Sequence, residues 1–223
     1  MENYNKASET QDVKKFFDGY ASDFDSIYGH TDGRSFFDKL TDKFFRQSMS
    51  LRFGETLKNT AKPEIRTVLD IGCGPGHYCV EFLKQGKTVV GLDVADGMLQ
   101  IAKQKTAAYE KEGKISYILD GYMEHSFTER FDASCLMGFF DYIKDPAEVF
   151  NKLKKDTSKE IYMSFPKKGG FLAIQRKIRY NLRNCPLYLY SKDDLVKLLR
   201  KTGLFEKAEI VDLKRDYFVK IKL

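Results

Sequence analysis

Asp70, three glycines at alternate positions (Gly72, Gly74, Gly76) and Asp93 are the residues whose types and spacing best suit them to hold a polar ligand. Glycine lets the backbone turn sharply and lets a ligand lie against bare main chain. A carboxylate at Asp93 can accept hydrogen bonds from both hydroxyls of a ribose. The glycines follow Val68, Leu69 and Ile71, a short apolar run of the kind a central parallel strand needs. From His77 to Lys84 the pattern becomes helical, with Val80, Phe82 and Leu83 facing inward. The turn therefore feeds a helix N-terminus, whose amides suit polar ligand atoms. Thr88-Val89-Val90-Gly91-Leu92-Asp93 reads as a second strand ending in the acid. Together these pieces form a nucleoside-binding half-site. A dinucleotide fingerprint, G-x-G-x-x-G/A, would place its third small residue at position 77, which is His77. The spacing is G-x-G-x-G instead, which argues against a pyrophosphate seat and a nicotinamide cofactor.

Four segments in order, VLDIGCGPG, GLDVADGML, ILDGYMEHSF and FDASCLMGFFDYIKDP, resemble the motif series of class I S-adenosylmethionine-dependent methyltransferases. The resemblance runs from residue 67 to about 223. It implies S-adenosylmethionine as cofactor and S-adenosylhomocysteine as product. By that resemblance Asp70, Gly72, Cys73 and Gly74 line the methionine end, Asp93 holds the ribose, and Val94 and Met98 pack on the adenosine. Asp120 would receive the adenine amino group with Gly121 and Tyr122 beside it, and Met137 and Gly138 would sit near the sulfonium. The flanking stretches FFDGYASDFDSIYG and NCPLYLYSKDDLVKLLRKTG resemble, more weakly, magnesium-protoporphyrin O-methyltransferases and similar small-molecule enzymes. The porphyrin substrate is not carried over on that basis.

The elements that must position these residues alternate. Strands are predicted near 67–71, 87–92, 114–119, 132–137, 159–164, 207–212 and 215–221, and helices near 76–85, 96–111, 146–154 and 192–202. This is an α/β chain: a doubly wound, Rossmann-like, seven-stranded, mostly parallel sheet with a terminal antiparallel hairpin turning near Leu213-Lys214, plus a helical cap. Asp145-Pro146 suits a helix start, Ser191 with Asp194 resembles a capping box, and Thr202-Gly203 suits a helix end. Residues 1–62 are expected to form an N-terminal helical cap segment rich in phenylalanine, and 63–223 the catalytic domain.

An insert at about 166–190 is too long for an ordinary loop between strand and helix. It carries Arg176, Lys177, Arg179 and Arg183, with Ile174, Ile178 and Leu182 at helical spacing opposite them. Open α/β sheets bind ligands beyond the carboxyl ends of their strands, so insert and N-terminal helices are expected to close the acceptor pocket there. Arg176, Arg179 and Arg183 would pair with an acceptor carboxylate or phosphate, or form a solvated basic helix face; both readings stay open.

Methyl transfer is an in-line displacement in which positioning and water exclusion supply much of the rate, and an oxygen or nitrogen acceptor can need a general base. His30, Asp141 and Tyr142 are the pocket candidates for that chemistry, with Phe140 as an acceptor contact. Tyr20 and Tyr28 would cover the cofactor or serve as plain cap core, and Arg46 would meet the cofactor carboxylate or form a helix-surface ion pair. His125 reads as peripheral.

The 223 residues suit one domain with a cap, and 42% hydrophobic with 31% charged content is ordinary for a globular chain. No apolar run approaches a membrane span, and the opening MENYNKASETQDVKK does not read as a secretory signal. Cys73, Cys79, Cys135 and Cys185 match neither a disulfide framework nor a metal-ligand spacing, so no metal is expected and a cytoplasmic location is. The net charge of +6 keeps an RNA or other nucleic-acid methyltransferase as an alternative. Met137-Gly138-Phe139-Phe140, where amino-methylating base enzymes carry Asn/Asp-Pro-Pro-Tyr/Phe, disfavours a nucleic-acid partner. A non-catalytic S-adenosylmethionine-binding protein is the other alternative. The favoured reading is methyl transfer to a small-molecule acceptor, at oxygen before nitrogen. No feature specifies an oligomeric state.

Overall fold

Strands whose odd and even residues are both apolar must be covered on both faces, and the central strands of this chain are of that kind. The computed structural model describes residues 49–170, 173, 176–177 and 186–223. Its elements are helix α1 (49–60), β1 (Thr67–Ile71), α2 (His77–Lys84), β2 (Thr88–Asp93), α3 (Asp96–Lys111), β3 (Ile115–Leu119), β4 (Phe131–Leu136), α4 (Ala147–Asp156), β5 (Thr157–Pro166), α5 (Lys192–Lys201), a 3-10 turn (Phe205–Lys207), β6 (Ala208–Asp212) and β7 (Asp216–Lys222). The strands form one seven-stranded sheet in the order β3-β2-β1-β4-β5-β7-β6. β7 runs antiparallel to both β5 and β6, and all other pairs are parallel. This is the doubly wound, Rossmann-like sheet with a terminal hairpin that the sequence predicts.

The period-2 alternation sorts the core into two layers. Leu69, Ile71, Leu136, Ile161, Met163, Phe165, Val219 and Ile221 pack with Val149, Phe150 and Leu153 of α4 and Leu195 and Leu199 of α5. Val68, Val89, Ala133, Cys135, Tyr162 and Phe218 point to the other face, against Cys79, Phe82 and Leu83 of α2 and Leu99 of α3. Helix α1, the last part of the expected cap segment, joins this second layer through Leu57. It is also tied to β5 by the Tyr162 hydroxyl, which donates to the Asn59 carbonyl at 3.2 Å, and just beyond it Lys62 pairs with Glu160 at 2.6 Å.

The local signals read from sequence appear as geometry. Ser191 and Asp194 form a reciprocal capping box on α5. That helix ends in a Schellman arrangement, with Leu204 N–H donating to Leu199 O at 2.8 Å and Gly203 N–H to Arg200 O at 3.1 Å. One boundary differs. β5 starts at Thr157 and runs to Pro166, longer than the predicted 159–164, because its register with β7 extends to Pro166 opposite Asp216. The insert leaves and returns at one place: Lys167 and Tyr190 form a bridge, and Tyr190 N–H donates to Pro166 O at 2.8 Å. Tyr20, Tyr28, His30, Arg46, Arg179 and Arg183 lie outside the described residues, as do 1–48 of the expected cap.

Candidate active site

The sheet order reverses between β1 and β4, and the crevice at such a switch point, beyond the carboxyl ends of the strands, is where open α/β sheets take ligands. The glycine turn leaves β1 there. Gly72, Gly74 and Gly76 have φ of 67°, 52° and 75°, the left-handed region that residues with a Cβ avoid. The Gly72 and Cys73 amides donate to the Leu92 carbonyl at 2.8 and 3.1 Å, which pins the turn to β2. At Gly76 a Cβ would stand 2.9 Å from that of Ala102, so this glycine also lets α2 approach α3. Gly76 caps α2 without a side-chain hydrogen bond, and the N-terminus of α2 opens at the end of the glycine turn.

Asp93, at the tip of β2, faces this turn. One carboxylate oxygen accepts from the Gly74 amide at 2.8 Å and the other from the Ala95 amide at 2.9 Å. A carboxylate offers about four acceptor positions, so Asp93 is of a type that can accept from a ribose diol as well as from backbone amides. The Asp120 amide donates to the Asp93 carbonyl at 3.1 Å, so the two acids sit at neighbouring strand tips. Gly121 N–H donates to one Asp120 oxygen at 2.8 Å, and His125 Nδ1 lies 3.0 Å from the other. His125, read as peripheral from sequence, is therefore in contact with Asp120. Leu119, half exposed on the same tip, is an apolar surface that sequence reasoning passed over. Val94 is half-buried and Met98 is buried with Ala95. Tyr122, expected beside Asp120, is two residues on from it and buried. It is in the core with its hydroxyl donating to Asp156 at 2.8 Å, which leaves its backbone at the strand tip.

Beneath the turn, Asp70 projects from β1 into the face covered by α2. It is 1% exposed, and the Cys79 thiol donates to it at 3.3 Å. Burial pushes Asp70 up to about 7, against the hydrogen bond from Cys79 and with the Asp93 carboxylate adding to the rise. Cys73, although the Cys79 thiol works the other way, is pushed up to about 11 by burial and by Asp93 and Asp70. A thiol in that state is no nucleophile, so Cys73 contributes backbone and packing to the turn.

After β4 the chain enters the region expected near the sulfonium. The Thr56 hydroxyl of α1 donates to Met137 Sδ at 3.5 Å. Gly138, at φ 80°, donates its amide to Ser164 Oγ at 2.8 Å. Phe139 sits over the glycine turn, 3.2 Å from where a Cβ on Gly72 would be, another neighbour that sequence reasoning missed. Phe140, expected to touch the acceptor, is instead fully buried and stacked on Phe165 with ring centres 4.3 Å apart. Tyr142 is half-buried.

Asp141 and Arg176, assigned from sequence to the base and to the acceptor, are paired with each other. One Arg176 nitrogen donates to Asp141 and another to Asp216 at 2.9 Å, with all three side chains at most 7% exposed. Arg52 of α1 adds a second cation, 3.8 Å from Asp216 and 3.4 Å from Ser164 Oγ. Burial raises Asp141 in spite of Arg176, whereas Arg176 and Arg52 overcome burial at Asp216 and hold it below the usual carboxylate range. An aspartate committed to a buried guanidinium is poorly placed to take a proton from an acceptor. Among the described residues no group of three or more His, Cys, Asp or Glu side chains is placed to hold a metal ion.

A glycine turn off β1, an acid at the tip of β2 and another just after β3 define, with this strand order, a doubly wound α/β fold with a nucleoside-type crevice. Residues 68–157 match a family model described as a methyltransferase domain. The ubiquinone biosynthesis O-methyltransferase of Salmonella newport is 30% identical over 173 residues, covering 75% of this chain and 69% of that protein. The chain belongs to the class I S-adenosylmethionine-dependent methyltransferases. The protein of the same name from Hydrogenovibrio crunogenus is 27% identical over 149 residues, covering 66% of this chain and 57% of its own length. The chain thus spans somewhat over half the length of that relative. Among solved structures, magnesium protoporphyrin IX methyltransferase from Synechocystis PCC 6803, with bound S-adenosylmethionine, superposes with a TM-score of 0.71 at 16% identity, covering 100% of this chain and 99% of that one. 1,6-Didemethyltoxoflavin-N1-methyltransferase from Burkholderia thailandensis gives a TM-score of 0.66 at 14% identity, covering 100% and 92%. The fold is shared with both. No helix among the described residues is long and apolar enough to cross a membrane.

Proposed function

We propose that this protein transfers the methyl group of S-adenosylmethionine to a hydroxyl oxygen of a small, flat acceptor in the cytoplasm. The observation that carries the reading is the Asp93 carboxylate, held by the Gly74 and Ala95 amides at the tip of β2, directly against the glycine turn that leaves β1. The names of the curated relatives support oxygen as the methylated atom. S-adenosylmethionine, when bound, supplies a methyl group on a sulfonium, a leaving group that needs no protonation.

The protein's part is binding, orientation and water exclusion. Asp93 holds the ribose, Asp120 accepts the adenine amino group, and the backbone of Gly72 and Gly74 admits the methionine end. Gly138 and Met137, fixed by Ser164 and Thr56, border the transfer position. Residues 1–62 and the insert at 166–190 cover the acceptor. The acceptor's proton leaves to a base as the new oxygen–carbon bond forms. With Asp141 committed to Arg176, Tyr142 and His30 are the candidates for that base. With Arg176 committed as well, Arg179 and Arg183 are the cations left for an acidic acceptor group.

The test is transfer of labelled methyl from S-adenosylmethionine to a panel of phenols, catechols and aromatic amines. Label recovered as a methyl ether supports the reading. Label found only on amine nitrogen, or S-adenosylhomocysteine binding with no transfer to any hydroxyl acceptor, counts against it.

A further inference from the structure

His125 returns to Asp120 because the chain turns once immediately after β3. Glu124 and His125 both donate their amides to the Gly121 carbonyl, at 3.2 and 3.0 Å, a helical turn that brings residue 125 back over residue 120. The imidazole also stands edge-on to Phe127 with centres 4.7 Å apart; Phe127 is in turn edge-on to Phe131 at 5.3 Å. A carboxylate is acceptor-only, so Nδ1 is the donor in the 3.0 Å contact. Gly121 N–H fixes the other oxygen, and the Asp120 side chain remains 41% exposed.

We propose that His125 is a positioning residue for the adenine end of the cofactor: its Nδ1–H locks the Asp120 carboxylate in the rotamer that accepts the 6-amino group, and so sets the preference for a 6-amino over a 6-oxo purine. The proposal rests on the reading that Asp120 faces adenine. A carboxylate held by two donors turns its remaining lone pairs in one direction. A 6-amino group answers them with a hydrogen, whereas a 6-oxo group opposes them with its own lone pairs, which is how a polar site rejects an isostere. An unrestrained carboxylate could rotate away from the oxo group and would discriminate less.

The experiment is calorimetric titration of the full chain with S-adenosylhomocysteine and with S-inosylhomocysteine, its 6-oxo counterpart. Wild type, H125F and H125N are compared. Phe keeps the ring against Phe127 and removes the donor, and Asn places an amide N–H close to the position of Nδ1. Wild type is expected to prefer the adenine ligand by about tenfold or more, H125F to lose most of that preference, and H125N to retain it. An H125F preference equal to that of wild type would overturn the role of His125, as would an equal weakening of both ligands in H125F and H125N, the mark of a structural residue. Equal affinity of wild type for the two ligands would overturn the placement of Asp120 at adenine itself, and the proposal with it.

Discussion

The Cys79 thiol donates to the Asp70 carboxylate at 3.3 Å, directly beneath the turn that leaves β1. An acid on the covered face of a central strand is surrounded by apolar neighbours, and burial raises its pKa to about 7 from an ordinary 3.8. The folded state therefore holds this proton more tightly than the unfolded chain does. Stability falls as pH rises from near 4 toward 7 and levels off above that. Urea unfolding at pH 5 and pH 8 should show wild type losing more stability between them than D70N, by on the order of 3 kcal/mol. Equal losses would mean that Asp70 stays ionised in the folded protein.

D93A removes the acceptor for two backbone amides and, on the proposed function, for the ribose. S-adenosylhomocysteine affinity should fall by about 1–3 kcal/mol, read by calorimetry. The unfolding midpoint should fall too, because the Gly74 and Ala95 amides lose their partner. Unchanged affinity in a folded D93A protein would remove the ribose role.

R176A leaves the buried Asp141 and Asp216 carboxylates without their shared guanidinium. Stripping one partner from a buried ion pair is expected to cost about 3–5 kcal/mol, measured by denaturant unfolding. Arg52 remains 3.8 Å from Asp216, so Asp141 should carry most of the penalty, and adding D141N to R176A should recover part of it. If the single variant unfolds at the wild-type midpoint, the triad is no structural link.

G76A places a Cβ 2.9 Å from the Cβ and 3.2 Å from the Cα of Ala102, at a φ of 75°. Clash and backbone strain act together here, and a loss of about 2–4 kcal/mol in unfolding free energy is expected. The neighbouring Gly74 has no atom within 4 Å of its Cβ position, so G74A should cost only the strain of its φ, about 1–2 kcal/mol.

Leu69 and Ile71 against Val68 show why the sheet is readable from the chain alone: alternate apolar residues require two covering layers, whatever covers them. The glycine turn, the acid at Asp93, the Ser191–Asp194 cap and the Gly203 helix end are equally legible, since each is specified by residues close together in the chain or by a strand terminus. Packing decided the rest. Asp141, Arg176 and Asp216 meet across separations of 35 and 40 residues, so no local pattern tells whether their charges face an acceptor or each other. Phe139 and Phe140 are adjacent and chemically alike, yet one sits against the glycine turn while the other is buried against Phe165. His125 is only five positions from Asp120, but it meets that carboxylate because one helical turn after β3 folds it back. Spacing along the chain sets which residues share an element. The directions in which their side chains point, and so their partners, are set only when the elements pack.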